Sequence, residues 1–315
     1  LASAQDIMLY VPLPLGSYES LTLAVYAGSK SVWSYTNTVT NTISRKSLIL
    51  MPTVTLSGSI EGDIEDFINL SENGTANCYV VSAAGDYRFT PTKGNSAESV
   101  GSIASVEVLW ESFGTYVEIS SGNLISSVSY LEENICFTTA QTYKEGNAVI
   151  VAKDASGTIL WSWHIWLTDE PQEEVYTRIN LIKMMDRNLG ATSSRRWDVG
   201  ALGLMYQWGR KDPFLGSSST SNNTTARSTI TWPSSVTSSA TTGTIEYAAE
   251  HPTTYIKYNS SNYDWYYTGD DDTDNARWQS DKTIYDPCPS GWRVPDGGEN
   301  GGELVFAGTP EELIK

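Results

Sequence analysis

Cys288 is the residue whose type best suits a nucleophile, and it lies in residues 286–295, DPCPSGWRVP. A catalytic cysteine needs a thiolate-stabilising partner such as His, Lys or a helix N-terminus. Here Pro287 and Pro289 have fixed φ and no donor N–H. Each proline also holds its predecessor, Asp286 or Cys288, in extended geometry. Gly291 permits a bend before Trp292 and Arg293. The stretch predicts a rigid structural corner. The two histidines add little chemistry. His164 sits inside a tryptophan-rich strand, which favours a structural role, and His251 precedes Pro252 in a polar loop. No GxSxG, HExxH or Walker A pattern is present, so the residues read as a protein that is not an enzyme, with no catalytic group.

Two further clusters have binding chemistry. Residues 269–275, GDDDTDN, place the hard oxygens of Asp270, Asp272 and Asp274 two residues apart, a spacing that can wrap Ca2+. An EF-hand loop needs Gly sixth and Glu twelfth, and counting from Asp270 those positions hold Asn275 and Asp281. A solvated acidic loop is the competing reading. Just upstream, Tyr263, Trp265, Tyr266 and Tyr267 concentrate aromatics among polar residues. Aromatic faces stack on sugar C–H surfaces, so these four are the candidate ligand-binding residues. Packing of an irregular core is the alternative. No cofactor beyond Ca2+ is expected.

The elements that must carry these groups are strands. Trp (11) and Tyr (18) outnumber Phe (6), and Ser, Thr, Asn and Gly are plentiful, which suits a mainly β protein outside the cell. A net charge of −17 opposes binding to nucleic acid or anionic lipid, and no apolar run is long enough for a transmembrane segment. The three cysteines, Cys78, Cys136 and Cys288, show no zinc spacing, and Cys78 and Cys136 are expected as buried free thiols in strands, with a disulfide between them as the alternative.

Three sections follow along the chain. Residues 1–58 carry alternating segments such as Leu21, Leu23 and Val25, but too few strands for an independent sandwich, so a missing N-terminal part or a borrowed strand is expected. Residues 59–172 read as a β-sandwich whose clearest piece is a hairpin from Gly146 to Leu167 turning at residues 154–157. Trp161, Trp163, Ile165 and Leu167 would face its core. Residues 173–315 read as an irregular section with a strand near residues 179–185, a Ser/Thr-rich surface loop over 217–243, and a helix start at Thr309–Pro310.

Three motifs in that section carry a family resemblance. DPCPSGWRVP (with Asp286, Cys288, Trp292 and Arg293), MDRNLGA at 185–191 (with Asp186, Arg187 and Asn188) and YQWGRKDPF at 206–214 (with Trp208) resemble the FISUMP-type "major paralogous" surface domain. The resemblance implies an irregular, C-type-lectin-like α+β fold in which these are structural motif residues. Residues 45–52 and 146–167 resemble fimbrillin-like proteins of the Bacteroides group. That resemblance implies an exported type V pilus subunit or adhesin, in a tip or accessory position on an outer-membrane-associated fimbrium. Its partners would be other subunits joined by β-strand addition. A surface glycan-binding lectin module is the alternative.

Overall fold

Leu21, Leu23 and Val25, at every second position, predict a strand, and the computed structural model has one over Leu21–Ala27. It describes residues 16–19, 21–27, 30–37, 40–44, 64–113, 119–176, 182–221, 224–258, 263–269 and 276–295. Two compact units divide at Asp63/Ile64. In the first, β1 (Gly16–Tyr18), β2 (Leu21–Ala27), β3 (Lys30–Asn37) and β4 (Asn41–Ile43) form two antiparallel pairs, β1–β4 and β2–β3. The helix start expected at Thr309–Pro310 lies outside the described residues.

The second unit opens with a single 3-10 turn, Ile64–Asp66. Eight strands follow: β5 (Ile68–Asn69), β6 (Cys78–Val81), β7 (Asp86–Phe89), β8 (Ser105–Ser112), β9 (Ile125–Leu131), β10 (Asn134–Thr139), β11 (Gly146–Lys153) and β12 (Ile159–Leu167). They make two four-stranded sheets, ordered β5-β7-β10-β9 and β6-β12-β11-β8. Each sheet is mixed, because β5–β7 and β6–β12 run parallel and the other pairs antiparallel. The predicted hairpin is β11–β12, closed by Asp154, whose side chain accepts the backbone N–H groups of Ser156 and Thr158. Between the sheets lies one apolar core containing Phe89, Ile135, Phe137, Ile150, Trp163 and Ile165. The face predicted for β12, Trp161 to Leu167, points into it.

Both faces of β11 and β12 are buried. The cover on the outer face comes from the rest of the chain, which has short ladders and almost no helix. Its elements are β13 (Glu173–Tyr176), β14 (Ile182–Met185), β15 (Met205–Tyr206), β16 (Pro213–Phe214), β17 (Val236–Thr237), α1 (Ile245–Glu250) and β18 (Ile256–Lys257). The boundary expected at 172/173 therefore falls inside one compact unit. The fold is mainly β, with several small mixed sheets.

The 217–243 loop buries more than its composition predicts. Ala226 is buried against Trp110, Val149 and Val151, and Ile230 and Trp232 pack on the same cluster. Thr229 pairs with the edge of β8, its N–H donating to the Glu111 carbonyl and its hydroxyl accepting from the Glu111 N–H. A few apolar residues spaced among hydroxyls are enough to dock a loop when its hydroxyls satisfy a sheet edge.

Candidate functional site

The outer face of the second sheet carries polar side chains where a strand alternation would otherwise place apolar ones. Sheet order sets Cys78 on β6, His164 on β12 and Asn147 on β11 side by side. Cys78 Sγ lies 3.3 Å from His164 Nδ1, and His164 Nε2 lies 2.9 Å from Asn147 Oδ1. The Asn147 amide nitrogen donates to the Gly190 carbonyl at 3.0 Å, which identifies Oδ1 as the acceptor facing the ring. Nε2 therefore carries the proton, and Nδ1 accepts from the Cys78 thiol, with the Tyr206 hydroxyl 3.5 Å away.

Thiol, imidazole and amide in this order are the groups a thiol hydrolase uses, but the electrostatics here run the other way. Burial depresses the His164 pKa to about 3 and pushes the Cys78 thiol far above its usual range. A nucleophilic pair requires thiolate and imidazolium, whereas these shifts hold both groups neutral. All three residues are buried. The arrangement fastens β6, β11, β12 and the 190 turn to one another.

The RKD of YQWGRKDPF is buried beside it. Arg210 places all five N–H donors: Nε to Asp212 at 3.3 Å, one terminal nitrogen to Gln207 and the Thr254 carbonyl, the other to the Ala248 and His251 carbonyls. It thereby caps the C-terminal end of α1, where carbonyls lack partners within the helix. Lys211 donates to the Ser162 hydroxyl and to Asp212 (2.5 Å), with its ammonium 4.4 Å from the Trp161 ring centre. Burial lowers the Lys211 pKa and Asp212 opposes that shift. Trp208 is half exposed and packs edge-on to Trp278.

The DPCP stretch is held by short-range hydrogen bonds. Asp286 accepts the N–H of Cys288 and of Val294, each at 2.8 Å, and Gly291 takes φ +81°. Lys282 Nζ donates to the carbonyls of Cys288, Pro289 and Trp292 at 2.6–2.7 Å. Asn77 accepts from the Trp161 indole and donates to the Ile284 and Asp286 carbonyls, which seats the corner on the sheet. Cys288 is buried, and burial with Asp286 pushes its thiol up despite the nearby Lys282. Arg293 is exposed at the end of the corner. In MDRN, Arg187 pairs with Asp186 at 2.8 Å and with Asp169, holding both carboxyls below their ordinary range. The Asn188 side chain donates to the Ala201 carbonyl.

The four candidate ligand residues separate. Trp265 is only 4 % exposed, its indole N–H donating to the Trp208 carbonyl, and Tyr266 is half-buried beside it. Tyr263 and Tyr267 are exposed. Trp265 is packed in an apolar cluster with Ala248 and Ile256, and Tyr266 packs against that cluster. Asp270, Asp272 and Asp274 lie outside the described residues, and among the described residues no three acidic, His or Cys side chains cluster as a metal site.

Sequence reasoning missed Asn77, Asn147, Lys282 and Glu111, which act on partners from 6 to 209 residues away. The one available signal was a polar residue within a strongly apolar strand, as at Asn147 and His164. No helix among the described residues is long and apolar enough to cross a membrane. No family model, curated protein or solved structure matches this chain.

Proposed function

We propose that this chain is a cell-surface fimbrial subunit or adhesin, in a tip or accessory position, that joins other subunits by β-strand addition. In this reading residues 173–315 are a C-type-lectin-like, FISUMP-type section carried on a β-sandwich and displayed outward from an outer-membrane-associated fimbrium. The sequence motifs support it.

The observation that carries the assembly step is the edge of β9. Among the described residues β9 ends its sheet, pairing only with β10. The β9–β10 turn is Glu132–Glu133, both at positive φ, which closes a two-residue hairpin on Leu131 and Asn134. In that register the backbone N–H and C=O groups of Val128 and Tyr130 point away from β10. The strand reads ISSVSYL, with none of the charges or prolines that normally blunt an edge. An extended segment from a neighbour can therefore hydrogen-bond along it.

Tyr130→Pro tests this, because proline removes an outward donor and no β10 hydrogen bond. Expected is a normal melting temperature, with loss of the chain from surface fibres seen by immunogold microscopy and from heat-sensitive ladders on denaturing gels. Equal incorporation of Tyr130→Pro, or absence of the wild-type chain from any fibre, refutes the assignment. The second reading, a glycan-binding module, is favoured by one observation, the exposed tyrosine pair described next.

A further inference from the structure

Tyr258 and Tyr263 stand 50 % and 75 % exposed, with ring centres 4.8 Å apart and ring planes tilted by 57°. Tyr263 also has φ +59°, the left-handed region that bulky L-residues rarely adopt. Among the described residues four non-glycine positions share that sign. Glu132 and Glu133 form the β9–β10 turn, and the other two are Trp197 and Tyr263. These are the two most exposed of the large apolar side chains, at 74 % and 75 %. A strained backbone that holds a ring out into water gains nothing from burial, so the fold gives no account of it.

The base under the pair is rigid. Asp264, next to Tyr263, is gripped by Arg277 through two 3.0 Å bonds, and Trp265 is buried. Before Tyr258, Ile256 is buried and exchanges two backbone bonds with the Gln207 side chain. The chain is therefore held on either side of the pair, at Ile256 and at Asp264, which lowers the ordering cost of binding.

Two tilted phenols offer adjacent π faces with hydroxyl tips. A protein partner would need a contiguous apolar patch of several hundred Å2, far more than two rings provide. A net charge of −17 disfavours an acidic ligand. The remaining match is an uncharged pyranose, whose axial C–H face packs on a ring while its hydroxyls reach water or the phenols. We propose, resting on the glycan-binding reading, that Tyr258 and Tyr263 form the stacking platform for a neutral hexopyranose chain.

The test uses the full chain on an array of neutral hexose oligosaccharides in EDTA, with wild type, Tyr258→Ala, Tyr263→Ala, Tyr263→Gly and, as a control at an exposed tyrosine outside the pair, Tyr255→Ala. Expected is wild-type binding that survives EDTA, a loss of at least tenfold in the Tyr258 and Tyr263 variants, and no change in the control. Tyr263→Gly is decisive, since glycine accepts the positive φ: its melting temperature rises above wild type while binding is lost. A packing role would move the two together. Wild-type binding that persists in the Tyr258 and Tyr263 variants overturns the platform and leaves the glycan reading standing. No binding by wild type overturns both.

Discussion

Glu111 on β8 offers the sharpest test of how this unit is held together. Its side chain is fully buried, and its oxygens accept three backbone N–H groups: Gly122 at 2.8 Å, Leu124 at 3.0 Å and Ile125 at 2.6 Å. These amides lie at the entry to β9, so one side chain of the second sheet anchors the start of an edge strand of the first. Glu111→Ala removes all three acceptors. Leu124 and Ile125 are buried, so two N–H groups are stranded, each costing about 1–3 kcal/mol. Gly122 is only half-buried and regains water. Release of the desolvated acidic group offsets part of the loss, leaving a net destabilisation of roughly 2–4 kcal/mol. Glu111→Gln keeps one oxygen for Leu124 and Ile125 but turns an amide N–H2 toward the Gly122 donor, for a smaller cost of about 1–2 kcal/mol. Urea unfolding measures both values. Amide exchange adds location: Leu124 and Ile125 exchange at least tenfold faster in Glu111→Ala. An alanine variant within about 0.5 kcal/mol of wild type, with unchanged exchange at these two amides, refutes the reasoning.

His164 gives a pH signature. Its pKa falls from 6.5 in the unfolded chain to about 3 in the fold because burial disfavours the charged ring, so the unfolded state binds more protons in between. This contribution is complete above about pH 6.5 and is lost as pH falls toward 3, at up to about 1.4 kcal/mol per pH unit. Urea titrations at about pH 7 and 4.5 are expected to show a smaller acid loss in His164→Gln than in wild type, and equal losses would contradict the assignment. The thiols supply a simpler check. Burial raises Cys78 and Cys288 strongly and Cys136 to about 11, so a disulfide-exchange reagent at about pH 8 labels none in the native chain and three in denaturant. Rapid native labelling of Cys288 would revive a reactive role for the corner.

The readings that succeeded rest on short-range physics. Asp154–Gly157 closes its hairpin because one Asp side chain binds N–H groups two and four residues on, and alternation then assigns Trp161, Trp163, Ile165 and Leu167 to the core. The corner at Asp286–Val294 is likewise local, with proline geometry and an Asp bonding residues two and eight positions later. Within the aromatic cluster, the sequence could not separate buried Trp265 from exposed Tyr263. Both are aromatic neighbours in an irregular stretch without a strand or helix period, so no periodicity tells inside from outside.

What the amino-acid sequence determined by itself was strand content, the central hairpin, the proline-held corner and the acidity that opposes anionic partners. The tertiary structure alone decided that Cys78, His164 and Asn147 meet. Cys78 reaches His164 because β6 pairs parallel with β12, which begins 81 residues after β6 begins. A parallel neighbour is set by the packing of whole sheets and the connections between them, and no local pattern encodes it. The same holds for the sheet's outer face. Its polar residues found partners in Gly190 and Asp212 only once the C-terminal section had folded over it. Buried polar groups must be satisfied wherever the chain can supply a partner, and which partner arrives is a property of the assembled fold.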